Sequence, residues 1–259
     1  MIDKTLLKNK IKQFWNKKPC GTFGTMPKNP TLEYFLKIKE RRYRLEPFIQ
    51  KFAQFEKWNG KTVLEIGCGL GIDGIEFAKN GANYTGIDIS DKSIELAKTY
   101  FDLNNQKGNL LLADDENLPF ENDTFDLVYS WGVLYHTPDI RQAIKEIYRL
   151  LKSDGRLIIM LYNKYSLVGL QLYIKYAFLR AELKSNLEEL YAFHHESCGT
   201  KAFTDKEVQE LFYQFKEVKI NNMITPYDVR IAKNIFLPKI FRLFIPPKLG
   251  FFKIIRARK

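Results

Sequence analysis

Residues Val63-Leu-Glu-Ile-Gly-Cys-Gly-Leu-Gly71 constrain the fold more than any other stretch of this chain. A short, mostly apolar run leads into glycines at 67, 69 and 71, the pattern of a buried strand turning sharply into a helix. A second strand-like run, Tyr84-Thr-Gly-Ile-Asp88, ends on a carboxylate. Glycines after one strand and an acid after the next suit a nucleoside whose ribose hydroxyls donate to the acid.

A dinucleotide turn would space its glycines G-x-G-x-x-G and bring a helix N-terminus against a pyrophosphate. Here the spacing is G-x-G-x-G, and Glu65 stands two residues ahead of the first glycine. That negative charge disfavours a pyrophosphate. It favours a ligand carrying an ammonium and a sulfonium, S-adenosylmethionine (SAM), over NAD. Glycine spacing alone fits any tight strand–helix turn about as well, so the downstream segments decide.

Leu110-Leu-Leu-Ala-Asp114-Asp115-Glu116-Asn117-Leu118-Pro119-Phe120 reads as a third strand ending in an acidic loop. Phe125-Asp-Leu-Val-Tyr-Ser130 reads as a fourth, running into Trp131-Gly-Val-Leu-Tyr135-His136-Thr-Pro138. With E-I-G-C-G-L-G, G-I-D-I-S and L-L-K-S-D-G-R-L, these pieces cover residues 61 to 160 in order. On them the chain resembles the class I SAM-dependent methyltransferases, in the branch that includes the ubiquinone and menaquinone methylases. The resemblance implies an α/β, Rossmann-like fold: a mostly parallel seven-stranded sheet whose last strand is antiparallel. It also implies SAM as methyl donor and S-adenosylhomocysteine (SAH) as product.

The periodicity predicts helices at 4–17 and 31–57, joined by a turn-rich linker at 18–30, as an N-terminal helical cap over residues 1–59. A SAM-binding domain over 60–259 follows. In it strands at 62–66, 83–87, 109–112, 125–129 and 156–162 alternate with helices at 71–80, 91–103 and 139–152. A helical stretch at 166–192 lies within a lid-like insertion at about 163–203. Thr204-Asp-Lys-Glu207 has the capping-box form at the start of a helix over 204–214. A strand near 216–222 and a closing strand over 250–259 complete the sheet. The apolar and basic stretch 235–247 is expected to be buried rather than to lie on a membrane surface.

The 259 residues suffice for one α/β domain with decorations. Cysteines at 20, 68 and 198 form no pairable framework, the N-terminus lacks a signal-peptide apolar core, and no apolar run approaches the roughly 18 residues of a membrane span. A cytoplasmic protein is expected. The formal charge of +11 is concentrated at the two ends, and from Arg230 onward no acidic residue occurs. A solvated lysine-rich surface is the first reading of this excess, an anionic acceptor the second and nucleic acid the third.

The resemblance assigns cofactor roles to matching positions. Gly67, Cys68 and Gly69 form the turn beside the methionine part, and Glu65 meets its ammonium. Asp88 accepts from the ribose hydroxyls, Ile89 packs on adenine, and Asp114 accepts from the adenine amino group. Asp115 offers a backbone N–H to a ring nitrogen, with Ser130 beside them at the end of the fourth strand. Methyl transfer from a sulfonium requires alignment and a dry pocket, and a base only where the nucleophile must lose a proton. His136, His194 and His195 are the candidate bases. Trp15, Tyr135, Tyr162, Asn163 and Arg41 are candidates for the acceptor pocket, and no metal site is expected. The acceptor is read as a small molecule, methylated on an oxygen of a sugar, a phosphorylated metabolite or a quinone-like compound. RNA or a lipid-linked substrate is the alternative.

Overall fold

Apolar runs with the two expected periods resolve into one seven-stranded sheet with helices packed against it. The computed structural model describes residues 4–22, 26–178, 185–232, 235–236, 242 and 244–259. The strands are β1 (Thr62–Ile66), β2 (Asn83–Asp88), β3 (Asn109–Leu112), β4 (Phe125–Trp131), β5 (Leu151–Tyr162), β6 (Lys216–Met223) and β9 (Phe252–Arg258). β7 (Arg230–Ala232) and β8 (Ile235–Phe236) form a separate hairpin. The helices are α1 (Lys4–Lys17), α2 (Leu32–Leu45), α3 (Ile49–Ala53), α4 (Ile72–Lys79) and α5 (Asp91–Leu103). They continue with α6 (Ile140–Leu150), α7 (Leu167–Leu172), α8 (Leu187–His194) and α9 (Asp205–Leu211).

The strand order is β3-β2-β1-β4-β5-β9-β6. Neighbours from β3 to β5 pair in parallel, while β9 runs antiparallel to both β5 and β6. The chain builds outward from β1 to β3 and then returns to place β4 on the other side of β1. Such a reversal opens a crevice at the carboxyl ends of the two central strands, where ligands of open α/β sheets bind.

Local chemistry explains most element ends. Ser90 caps α5 by accepting from Ser93 N–H, and Asp139 caps α6 by accepting from Gln142 N–H. α6 buries Ile140, Ala143, Ile144, Ile147 and Leu150, one stripe at helical spacing. Thr204 and Glu207 make the reciprocal capping box at the start of α9.

Four expectations about these elements need correction. The helix expected over 31–57 is broken at Glu46, because Pro47 disfavours helical geometry in the residue before it. It becomes α2, α3 and a short 3-10 turn at Phe55–Trp58. The stretch 166–192 is α7, a π-helical turn at Tyr173–Phe178, and α8, with residues 179–184 outside those described. Residues 151–155, expected as the end of a helix over 139–152 and its link to a strand at 156, belong to β5, which reaches back to pair Leu151 with Phe125 across a register shift. In the stretch 235–247, residues 237–241 and 243 lie outside the described residues, and Phe244 is exposed rather than buried. Phe35, Ile38, Ile49 and Phe52 of α2 and α3 are buried in the same hydrophobic cluster as Leu64 and Val128 of the sheet.

α1 is held across the carboxyl edge of the sheet by charge. Lys4 pairs with Asp139 at 2.7 Å, Lys8 with Asp114 at 2.5 Å and Glu116 at 2.8 Å, and Lys12 with Asp91 at 2.8 Å. One turn further on, Asn16 Oδ1 accepts from Ser90 Oγ at 2.7 Å. These residues recur every four positions and so share one helix face. Lys4, Lys8 and Lys12 are thus matched to acidic loops, which corrects the reading of those three as solvated surface, while Lys10, Lys17 and Lys18 are exposed. Single exposed pairs contribute about 0–1 kcal/mol, so the row matters more than any member.

Candidate active site

Under α1 lies a cavity of ≈ 240 Å³ at the carboxyl ends of β1, β2 and β4. The glycine turn forms its floor. Gly67 N–H and Cys68 N–H donate to Ile87 O at 2.8 and 2.9 Å, tying the turn to β2. Gly67 has φ +73°, and a Cβ there would come within 2.6 Å of Val133 Cγ1 and closer still to Cγ2. Gly69 has φ +52°, but a Cβ there would meet nothing within 4 Å. Its hydrogen faces open space on the cavity side, a cradle that any side chain would fill.

Asp88 sits beside that cradle. Its Oδ2 accepts from Gly69 N–H at 2.9 Å and its Oδ1 from Ser90 N–H at 2.8 Å. Burial pushes its carboxyl up to about 6, against backbone N–H groups that favour the charged form. Asp115 is pushed up to about 7 by burial, while the Thr137 hydroxyl that donates to it works the other way. Glu65 is buried and accepts from Tyr84 OH at 2.6 Å. Burial raises its carboxyl well above the ordinary range and Asp73 adds to this, with the Tyr84 hydrogen bond opposing.

Below the cavity Asp73, only 1% exposed, gathers four hydrogen bonds. Arg42 donates to both its oxygens, from Nε at 3.1 Å and Nη2 at 2.6 Å, and Tyr43 and Tyr129 hydroxyls donate at 3.0 and 2.9 Å. This network joins α2 to α4 and β4. Asp73 therefore does far more than favour a helix start.

A second cavity of ≈ 590 Å³ shares Trp15, Cys20, Arg42, Glu46, Trp131 and Tyr227 with the first. Its wall is largely aromatic. Tyr162 is stacked between Tyr135 and Phe251, with centroids 3.8 and 4.1 Å away. Tyr135 OH donates to Tyr162 OH at 2.6 Å, and Tyr162 OH donates to Glu196 Oε2 at 2.9 Å. Glu46, on the shared wall, is fixed by Trp131 Nε1–H at 2.7 Å. His195 lines the second cavity with its Nε2 buried and unpartnered, and burial lowers its pKa.

The structure brings together most of the residues expected at the site. Glu65, Gly67, Cys68, Gly69, Asp88, Ile89, Asp115, Trp15, Arg41 and His136 line the first cavity. Tyr135, Tyr162 and His195 line the second. Four residues are placed elsewhere. Asp114 is not on the wall, because Lys8 of α1 takes its carboxylate. Ser130 is fully buried and donates to Ile66 O at 3.1 Å, fastening β4 to the end of β1. Asn163 spends its amide on Lys248 O and Gly250 O, both at 2.9 Å. The His194 ring stacks on Tyr176 with centroids 3.8 Å apart, and it lines neither cavity.

His136 also departs from the role of free base. Its Nδ1 lies 2.7 Å from Ser197 Oγ and 3.2 Å from Thr200 Oγ1, and its Nε2 lies 3.3 Å from Glu196 Oε2. The Nε2 contact lacks hydrogen-bond alignment and is electrostatic. Only Nδ1 is hydrogen-bonded to protein groups, which fixes the ring, while Nε2 has the Glu196 carboxylate nearby and no hydrogen bond among the described residues. Sequence reasoning missed the pairing of Arg42 with Asp73, and it missed Glu196 as a site group. The only local signal for Glu196 was its place beside two histidines in a lid-like loop.

Residues 64–159 match the family model described as a methyltransferase domain. Over 103 residues the chain is 36% identical to an O-methyltransferase of Aspergillus nomiae, covering 39% of this chain and 46% of that protein. Over 116 residues it is 34% identical to a ubiquinone biosynthesis O-methyltransferase of Coxiella burnetii, covering 42% of this chain and 50% of that one. The chain thus spans about half the length of these curated relatives. Among solved structures, the magnesium protoporphyrin IX methyltransferase of Synechocystis with bound SAM superposes with a TM-score of 0.59. That match has 14% identity and covers 100% of this chain and 98% of the other. At such identity it shows the shared fold.

Proposed function

We propose that this chain, which carries a class I SAM-dependent methyltransferase domain, moves a methyl group from SAM to an oxygen of a small-molecule acceptor. The observation that carries this reading is the pair of cavities with a common wall, one built on the glycine turn and Asp88, the other aromatic. The first fits the donor. Gly69 leaves room for a ligand against the backbone, Asp88 beside it would accept from a nucleoside's hydroxyls, and carboxylates suit a cation. Bound SAM supplies a methyl group already activated by the positive sulfur.

The chain's own residues supply position and dryness. α1 closes the top of the first cavity through Ile11 and Trp15, and its lysine row holds it there. Arg42, fixed by Asp73, places a positive charge on the shared wall amid Glu46 and Glu65. The stack of Tyr135, Tyr162 and Phe251 gives the second cavity a rigid aromatic wall, with both faces of Tyr162 covered by its neighbours. This aromatic wall favours a planar, quinone-like ring over a sugar, and Arg42, Lys175 and Arg230 on the same cavity suit an acidic substituent on it.

Three of the N-terminal lysines that suggested nucleic acid, Lys4, Lys8 and Lys12, are matched to acidic loops, which weakens one motive for RNA. Incubation with methyl-labelled SAM and a small-metabolite extract is expected to label a small molecule. Labelling confined to RNA or protein fractions would overturn this reading.

A further inference from the structure

Glu196 stands just past the end of α8, on the wall of the second cavity. It lines the second cavity, while His136, whose Nε2 is 3.3 Å from it, lines the first. The carboxylate therefore stands where the two cavities meet. Its backbone has φ +54°, a left-handed conformation that residues with side chains seldom adopt. That geometry ends α8 and turns the Glu196 side chain onto the cavity wall.

The polar groups around it converge on one oxygen. Tyr135 OH donates to Tyr162 OH, and Tyr162 OH donates to Glu196 Oε2, so the hydroxyl hydrogens run in one direction toward the carboxylate. His136, gripped on its other side by Ser197 and Thr200, approaches the same oxygen. Oε1 takes no hydrogen bond among the described residues. On the same loop His195 Nε2 is buried without a partner and its ring is part of the same wall. A buried polar atom left unpaired is costly, and such atoms mark places where a ligand completes the bonding. With both tyrosine hydrogens spent inside the chain, this part of the wall offers an acceptor the anionic oxygen of Glu196, while Arg42, Lys175 and Arg230 line the same cavity.

We infer that Glu196 anchors the methyl acceptor, taking a hydrogen bond at Oε1 from the very hydroxyl or amine that is to be methylated. Resting on the methyltransferase reading, this assignment adds a requirement on substrate class: the acceptor carries a donor on a flat ring, and its already methylated ether is a poor ligand. His136, Tyr135 and Tyr162 are positioning residues that fix the carboxylate.

The test uses SAH-saturated protein and a panel of hydroxybenzoates and hydroxyquinones, each paired with its O-methyl ether, read by titration calorimetry. The wild type is expected to bind at least one hydroxyl compound about tenfold or more tightly than its ether. E196Q, which keeps size and neighbours, should lose that preference while binding SAH as the wild type does. E196A serves as a second variant with the same expectation. Equal binding of hydroxyl compound and ether by the wild type, or a preference retained in both variants, would overturn the assignment. Absence of any binder from the panel would overturn the substrate class. Failure of the wild type to bind SAH at all would instead remove the reading beneath it.

Discussion

Replacing Gly69 and Gly67 by alanine separates what the glycine turn does for the fold from what it does for the ligand. Both residues have positive φ, so alanine at either site costs about 1–2 kcal/mol in backbone strain. At position 69 the new Cβ meets no protein atom within 4 Å, so strain is the whole cost. A fall in melting temperature of about 2–8 °C follows for a chain of this size. At position 67 the Cβ overlaps the Val133 side chain, adding about 1–3 kcal/mol of overpacking. The total of about 2–5 kcal/mol lowers the melting temperature by roughly 5–20 °C. Ligand binding should show the opposite order of interest. Folded G69A carries a methyl group into the space that the donor needs, and should bind SAH at least about tenfold more weakly, or 1.4 kcal/mol. Differential scanning fluorimetry and SAH titration calorimetry measure the two effects. G69A with wild-type affinity would refute the idea that the ligand lies against this backbone.

Other perturbations test other parts of the account. Asp88 is raised to about 6, so its contribution to apo-protein stability is present below about pH 4 and fades as pH rises through 6. SAH affinity should run the other way, weakening as pH falls through 6, because the ionised carboxylate accepts from the ribose. D88N should bind weakly and lose that pH dependence, and a wild type with pH-independent affinity between 5 and 8 would contradict the assignment. K8M removes the least exposed member of the lysine row and should weaken SAH binding several-fold, as should 0.5 M salt. Identical dissociation rates in low and high salt would show that α1 does not gate the cavity. D73N leaves the Arg42 guanidinium without its carboxylate and should destabilise the protein by about 3–5 kcal/mol in urea unfolding. A loss under 1 kcal/mol would mean the pair is not a keystone.

The sheet was readable because its signals are local. Apolar runs, glycines at 67, 69 and 71, and a carboxylate at 88 each state their geometry within a few residues. Pro47 also announced the break after Glu46, and that local signal was missed beneath a strong helical periodicity. The capping residues Thr225 and Asp228 likewise marked the turn before the β7–β8 hairpin, which was not anticipated. Other features were hidden for a physical reason. Lys8 reaches Asp114 across 106 positions, Arg42 reaches Asp73 across 31, and Tyr162 reaches Glu196 across 34. A lysine that is solvated and one that closes a cavity look identical in a sequence. Asp114 and Asp115 were adjacent and equally plausible, and only α1 decides which one is occupied by a lysine and which lines the cavity.

Titration of SAH into the purified wild-type protein tests the central claim most directly, since it needs no knowledge of the acceptor. Saturable binding at one site per chain, with NADH giving no heat, is the result that follows from a glycine turn flanked by carboxylates. NADH binding without any SAH binding would contradict it.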